Sequence, residues 1–210
     1  MRRGPREIFL TALKILLQED EDRLITIDES HKDRNAGRRR RGWAHRNSGG
    51  VKVKEWYANV VRYSLLAAAD VNGFIPAACH TVRRDEISDE GAAGTVDAEY
   101  FLDWVKNYLC PVLGRYQFGE ARSVVLMDNA STHMSSAVED AIKEAGAVLI
   151  YMPPYSPFLN PIENFFYIYK AYLKRNEGRM MINWEDVHKE GLQQVDRTKG
   201  IKYFRRCRII

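Results

Sequence analysis

Two short apolar runs constrain this chain more than any other feature. In "LITIDES", residues 24–27 are apolar and rich in branched side chains, and the run stops at Asp28; in "RSVVLMDNA" a similar run stops at Asp128. Consecutive apolar residues without alternation describe a strand covered on both faces. Residues 147–152 form a third such run. Helical spacing occupies the intervals. Residues 97–109 place Phe101, Leu102, Val105 and Leu109 on one face and meet Pro111, and residues 135–145 form the next helix. After the third run, Ile162, Phe165, Phe166, Tyr169, Tyr172 and Leu173 make a single apolar stripe. Upstream, residues 5–18 read as a helix, and "RRRRGWAHR" with "VRYSLLAAADVNGFIPAACHTV" predicts two or three further strands, with a hairpin turn at Asn72-Gly73. Antiparallel strands followed by helix, strand, helix, strand and helix predict an α/β fold with a mixed sheet flanked by helices.

The chain has 210 residues, 45% of them hydrophobic and 29% charged, enough for one domain with a buried core. No run approaches the roughly 18 apolar residues of a membrane span, and the N-terminus turns acidic too soon for a signal peptide, so a soluble intracellular protein with no membrane partner is expected. Cys79, Cys110 and Cys207 are odd in number and far apart, which suggests buried thiols and neither a disulfide framework nor a zinc site. Net charge is only +4, but six arginines fall between Arg34 and Arg46, including Arg38, Arg39, Arg40 and Arg41. Six more basic residues follow Asp196 with no acid among them. Such clusters suit a phosphate backbone; a solvated strand and a solvated tail are the alternatives.

In open α/β sheets ligands gather at the carboxyl ends of strands, where Asp28 and Asp128 are expected. A buried carboxylate is paired, protonated or bound to a cation. Arg23 and Arg122 begin the same two runs, but at about 3.3 Å per residue each backbone lies more than roughly 15 Å from its aspartate. A third acid stands in "PYSPFLNPIENFFYIYKAYLKR", residues 154–175. There Asn160 suits an N-cap, Pro161 the first helical position, and Glu163 the place from which a side chain reaches back to the cap. Glu163 also lies on the flank of the apolar stripe, so it either caps the helix or faces a cleft. Three carboxylates suit Mg²⁺, or a pair of ions about 4 Å apart flanking a phosphodiester.

In order and spacing, "ITIDES", "VVLMDNASTH" and "PPYSPFLNPIENFF" resemble the three catalytic blocks of the DDE domain of mariner-type transposases. Between Asp128 and Glu163 lie 34 residues, the spacing that defines one branch of that superfamily. "RGWAH" and "YSLLAAADVNGFI" also resemble family blocks, so the likeness covers roughly residues 20–176. It implies an RNase H-like fold, with 1–23 an N-terminal helix or linker remnant, 24–176 the catalytic domain and 177–210 a helical, basic tail. It further implies metal-dependent hydrolysis of DNA followed by strand transfer. Asp28, Asp128 and Glu163 would hold Mg²⁺, or Mn²⁺ in its place, with two ions expected. Asn129, His133 and Asn160 would support those ligands or face phosphate, and Arg38 to Arg41 would meet DNA. The implied partners are transposon ends, target DNA and a second copy of the chain, in the nucleus if the host is eukaryotic.

The chain departs from the family in two places. Only about 23 residues precede the first strand, leaving no room for the usual helix-turn-helix region, and Phe166 stands where many relatives have tryptophan. The departure keeps an alternative open, a catalytically silent or domesticated DNA-binding protein on the same fold. Ser131 and His133 are too close in sequence to form a hydrolase triad.

Overall fold

A computed structural model describes residues 4–32, 62–84, 96–130, 133–180 and 182–210. The strands are β1 (Leu24–Lys32), β2 (Arg62–Asp70), β3 (Gly73–Phe74), β4 (His80–Arg84), β5 (Val124–Met127) and β6 (Val148–Tyr151). The helices are α1 (Pro5–Leu17), α2 (Ala98–Trp104), α3 (Ser136–Glu144), α4 (Pro161–Arg175), α5 (Glu177–Met180), α6 (Trp184–Leu192) and α7 (Arg197–Arg206). α2 runs on through a π-helical turn, Val105–Leu109, to Pro111. The expected mixed sheet is present, six strands with helices on both faces. β1 lies at its centre, antiparallel to β2 and parallel to β5, and β6 continues the parallel side. β3 and β4 share the far edge of β2.

Strand alternation sorts the core into two layers. Leu24, Val124, Leu126, Leu65, Ala67 and Ala69 face a cluster built from α1, α4, α6 and α7. Their neighbours Ile25, Ile27, Val125, Met127, Leu66 and Ala68 face α2 and α3 on the other side. This is why the runs read as continuous apolar sequence: every position meets a covered face. Phe165 and Phe204, both fully buried, pack together within the first layer at a centroid separation of 6.2 Å. Burial of rings of this size contributes about 2 to 3 kcal/mol each.

Three local expectations change. β1 does not end at Asp28 but continues through Glu29, Ser30 and His31 to Lys32, because β2 goes on pairing with it after β5 has stopped. The hairpin turn is formed by Val71 and Asn72, and Gly73 is the first paired residue after it. Gly73 has φ +127°, and a Cβ there would lie 2.3 Å from the carbonyl oxygen of Val195. The segment after 177 does not trail from the domain, since Val187, Val195, Phe204 and Ile209 are buried in the α4 layer. Its approach is close enough that a Cβ on Gly200 would sit 2.1 Å from the Val71 carbonyl oxygen. Arg38 to Arg41 and the strand expected around "RGWAH" lie outside the described residues. Among the described residues no helix is long and apolar enough to cross a membrane.

Candidate active site

The parallel register of β1 and β5 pairs Leu24 with Val124 and Thr26 with Leu126. Two residues further along each chain the same register reaches Asp28 and Asp128. By alternation both share parity with Leu24 and Leu126, so both belong to the face covered by α4. α4 begins beside them and supplies Asn160 and Glu163. Asp28, Asp128 and Glu163 line one cleft of about 490 Å³, together with Asn129, Asn160 and the proline-rich turn 153–157.

Of the two roles expected of Asn160, capping α4 and supporting a ligand acid, its side chain takes no part in the first. Its backbone precedes α4 in extended conformation, φ −90° and ψ 108°, but its side chain makes no capping hydrogen bond. Instead its Nδ2 donates to Asp28 Oδ2 at 2.9 Å, and its Oδ1 accepts the hydroxyl of Thr26. The residue is 1% exposed. At that depth the amide must be satisfied by groups that share its pocket, and the strand residues Thr26 and Asp28 are the groups present. Asp28 Oδ1 accepts the N–H of Glu29 at 2.7 Å.

The two aspartates are driven in opposite directions. Burial pushes Asp28 up to about 7, against the Glu29 N–H, which favours the anion; the charges of Asp128 and Glu163 raise it further. Asp128 is held below the usual carboxylate range, chiefly by the hydrogen bond from His133. His133 Nδ1 lies 2.5 Å from Asp128 Oδ1, and because a carboxylate only accepts, the proton belongs on Nδ1. The imidazole is buried and stacked on Phe101, centroids 4.3 Å apart and planes 28° from parallel. The Ala130 N–H adds a second donor to Asp128 Oδ1 at 3.1 Å. Asn129 does something different: its Nδ2 donates to the Met152 carbonyl at 2.7 Å, tying the end of β5 to the end of β6. Glu163 is exposed at the edge of the cleft.

The donor set suits a hard cation. Asp28 and Asp128 stand close enough for one charge to raise the other, and among the described residues no lysine or arginine pairs with Asp28, Asp128 or Glu163. Among the described residues, too, no three His, Cys, Asp or Glu side chains are arranged to enclose one ion. Mg²⁺ does not require that arrangement, since it is held by one or two carboxylates with water and substrate phosphate completing its shell.

Residues 23–182 match the family of DDE superfamily endonucleases, and the chain belongs to that family. Among solved structures, the paired-end complex of the Mos1 mariner transposase with Mn is similar over 99% of this chain and 60% of that one, at 16% identity and TM-score 0.60. The Mos1 catalytic domain alone is similar over 99% of this chain and 90% of that one, at 19% identity and TM-score 0.52. The likeness establishes the shared RNase H-like fold, and the chain spans about three-fifths of the paired-end protein. No curated protein matches the chain.

The sequence singles out the three acids with Asn129, His133 and Asn160, which the structure brings together, but not Thr26 or Phe101 beside them. In the sequence Phe101 reads only as core, and nothing there announces the Thr26–Asn160–Asp28 chain. The available signal is weak: a polar Thr26 inside an apolar run.

Proposed function

We propose that this chain is the catalytic part of a mariner-type transposase, cutting DNA phosphodiesters and transferring the freed strand. The observation that supports the reading is the register-matched pair Asp28 and Asp128 facing Glu163 across one cleft, with no lysine or arginine partner among the described residues. Asp28, Asp128 and Glu163 would hold Mg²⁺ or Mn²⁺, in keeping with the Mos1 paired-end complex, which is one with Mn. When bound, two such ions activate a water or hydroxyl and stabilise the leaving oxygen of a phosphodiester.

The chain's own residues prepare this chemistry. His133 holds one oxygen of Asp128 and keeps the group ionised, leaving its other oxygen free to ligate. Asn160 and the Glu29 N–H fix the plane of the Asp28 carboxylate. The start of α4 sets Glu163 at the edge, where the helix backbone fixes the direction from which its side chain enters. The openness of that edge suits a long substrate better than an enclosed small molecule. DNA ends, target DNA and a second copy of the chain are the partners this reading requires.

The test is nicking of supercoiled plasmid at low salt with Mg²⁺ or Mn²⁺. Wild type nicks, and Asp128→Asn and Glu163→Gln lose on the order of 100-fold or more, since metal-borne charge stabilisation is worth several kcal/mol. A silent DNA-binding protein is the second reading, favoured by the absence, among the described residues, of three ligands enclosing one ion. It predicts DNA binding with no nicking and no heat of Mn²⁺ binding in calorimetry.

A further inference from the structure

The basic run after Asp196 has no part in the chemistry above, and the fold brings its end to the edge of the cleft. Cys207 Sγ lies 3.9 Å from Asn164 Nδ2, and the Phe165 ring meets Tyr203 and Phe204 at 5.8 and 6.2 Å. Arg206 and Arg208 flank Cys207 in the chain, just as Glu163 adjoins Asn164. The last turn of α7 is thus docked against the first turn of α4, beside the exposed acid.

The two ends of α7 use their cations differently. At its start Arg197 is engaged by Asp22 at 2.8 Å, and Lys199 donates to the Gln194 carbonyl at 2.6 Å. At its end Arg205, Arg206 and Arg208 are exposed, and among the described residues none has an ion pair or a side-chain hydrogen bond. Arg208 is also held in an unusual place. Its φ is +61°, and the helix closes around it with the Arg208 N–H on the Arg205 carbonyl (2.9 Å) and the Ile209 N–H on the Phe204 carbonyl (3.3 Å). Glycine occupies this left-handed position without steric cost, and arginine does not. Ile209, 1% exposed, anchors the turn.

A cleft of three carboxylates repels the polyanion it must receive, so cations at its edge are needed to hold the substrate there. We propose that Arg205, Arg206 and Arg208 form a phosphate-binding rim that grips the DNA backbone on the Glu163 side of the cleft. The inference rests on the reading of the chain as a DNA-cutting enzyme, but the rim binds phosphate and does not involve the acids. A competing explanation is that the three cations only offset the dipole at the end of α7; removing them would then lower stability and leave DNA affinity alone.

The experiment uses the full chain in EDTA and a fluorescently labelled duplex of unrelated sequence, with anisotropy read between about 50 and 200 mM salt. The triple change Arg205→Ala, Arg206→Ala, Arg208→Ala should make the slope of log affinity against log salt shallower by about 2 to 3, near 0.9 for each phosphate left unneutralised, and weaken binding at least about tenfold. Removing the same charge elsewhere, by Lys106→Ala, Lys143→Ala and Lys189→Ala, should leave the slope nearly unchanged. Arg208→Gly gives the sharpest separation: an equal or higher melting temperature with a slope shallower by about 1. The rim is refuted if the arginine triple binds like wild type, if the lysine triple loses as much, or if Arg208→Gly leaves binding untouched. Because metal is absent, loss of nicking with the predicted salt slopes would refute the catalytic reading and leave the rim standing. Nicking that proceeds with unaltered slopes would refute the rim alone.

Discussion

β1 passes acids near its start and at its midpoint, and the surroundings of the two groups differ. Near its start Asp70, 3% exposed, receives Arg122 Nε at 2.8 Å and the Asn72 N–H at 2.7 Å. Close by, Arg197 ties Asp22 to Asn72, and Arg23 lies over the Tyr116 ring at 4.6 Å. Midway along the strand Asp28 stands beside Asp128, and the described residues bring neither lysine nor arginine to them. The fold therefore satisfies a buried carboxylate with arginine where the acid is structural. At the cleft it supplies only neutral donors and one histidine, so the balancing charge has to arrive from outside.

Breaking the paired end should have the largest effect. Arg122→Ala strands a buried carboxylate, a change that costs about 3 kcal/mol, at the low end for such pairs because the Arg122 side chain is 36% exposed. Urea unfolding at neutral pH reads it as a lower midpoint. Asp128→Asn at the cleft should cost less, about 1 kcal/mol, since the buried His133 Nδ1–H can still donate to the amide oxygen and only the charge-assisted part of that hydrogen bond is lost. Equal losses at both sites would remove the distinction. The next effect in size sharpens it: Mg²⁺ or Mn²⁺ at 100 times its dissociation constant should stabilise wild type by about 2.7 kcal/mol. Asp128→Asn should abolish that gain and Arg122→Ala should retain it, as read by thermal melts with and without metal.

Much of this difference is legible in the sequence, and the rest is not for identifiable reasons. The apolar runs before Asp28 and Asp128 announce buried strands because both faces of each are covered. The continuation of β1 to Lys32 is invisible because Glu29, Ser30, His31 and Lys32 are polar, and their strand conformation comes from pairing with β2. Asn160 looks like a cap because local pattern does not register a partner 132 residues away in the chain. His133 is polar and stands just before a helix, and neither its stacking on Phe101 nor its contact with Asp128 can be read from local pattern. The burial of Val187, Phe204 and Ile209 has no signal, since isolated apolar residues among charged ones carry too little periodicity to mark a face.

The smallest expected effect tests whether Asp28 belongs with the uncompensated acids. Its folded value, about 7, lies above the unfolded value near 4, so between those limits the native chain holds more protons than the unfolded one. As far as this group is concerned, stability of the metal-free protein should therefore be greatest below about pH 4 and should fall as pH rises from there towards 7. Asp128 acts in the opposite sense but in a lower window, below its unfolded value near 4, because His133 holds it down. The two contributions separate on the pH axis. A loss of about 1 to 2 kcal/mol between pH 5 and 8, allowing for the partial exposure of Asp28, is the expected outcome of urea titrations in EDTA. Asp28→Asn should flatten it, and saturating Mg²⁺ should do the same in wild type by favouring the ionised carboxylate. If Mg²⁺ flattens the profile of Asp28→Asn no further, the cation and the proton compete for the same group; if the slope persists in Asp28→Asn, another residue carries it and Asp28 is not the acid that awaits a counter-charge.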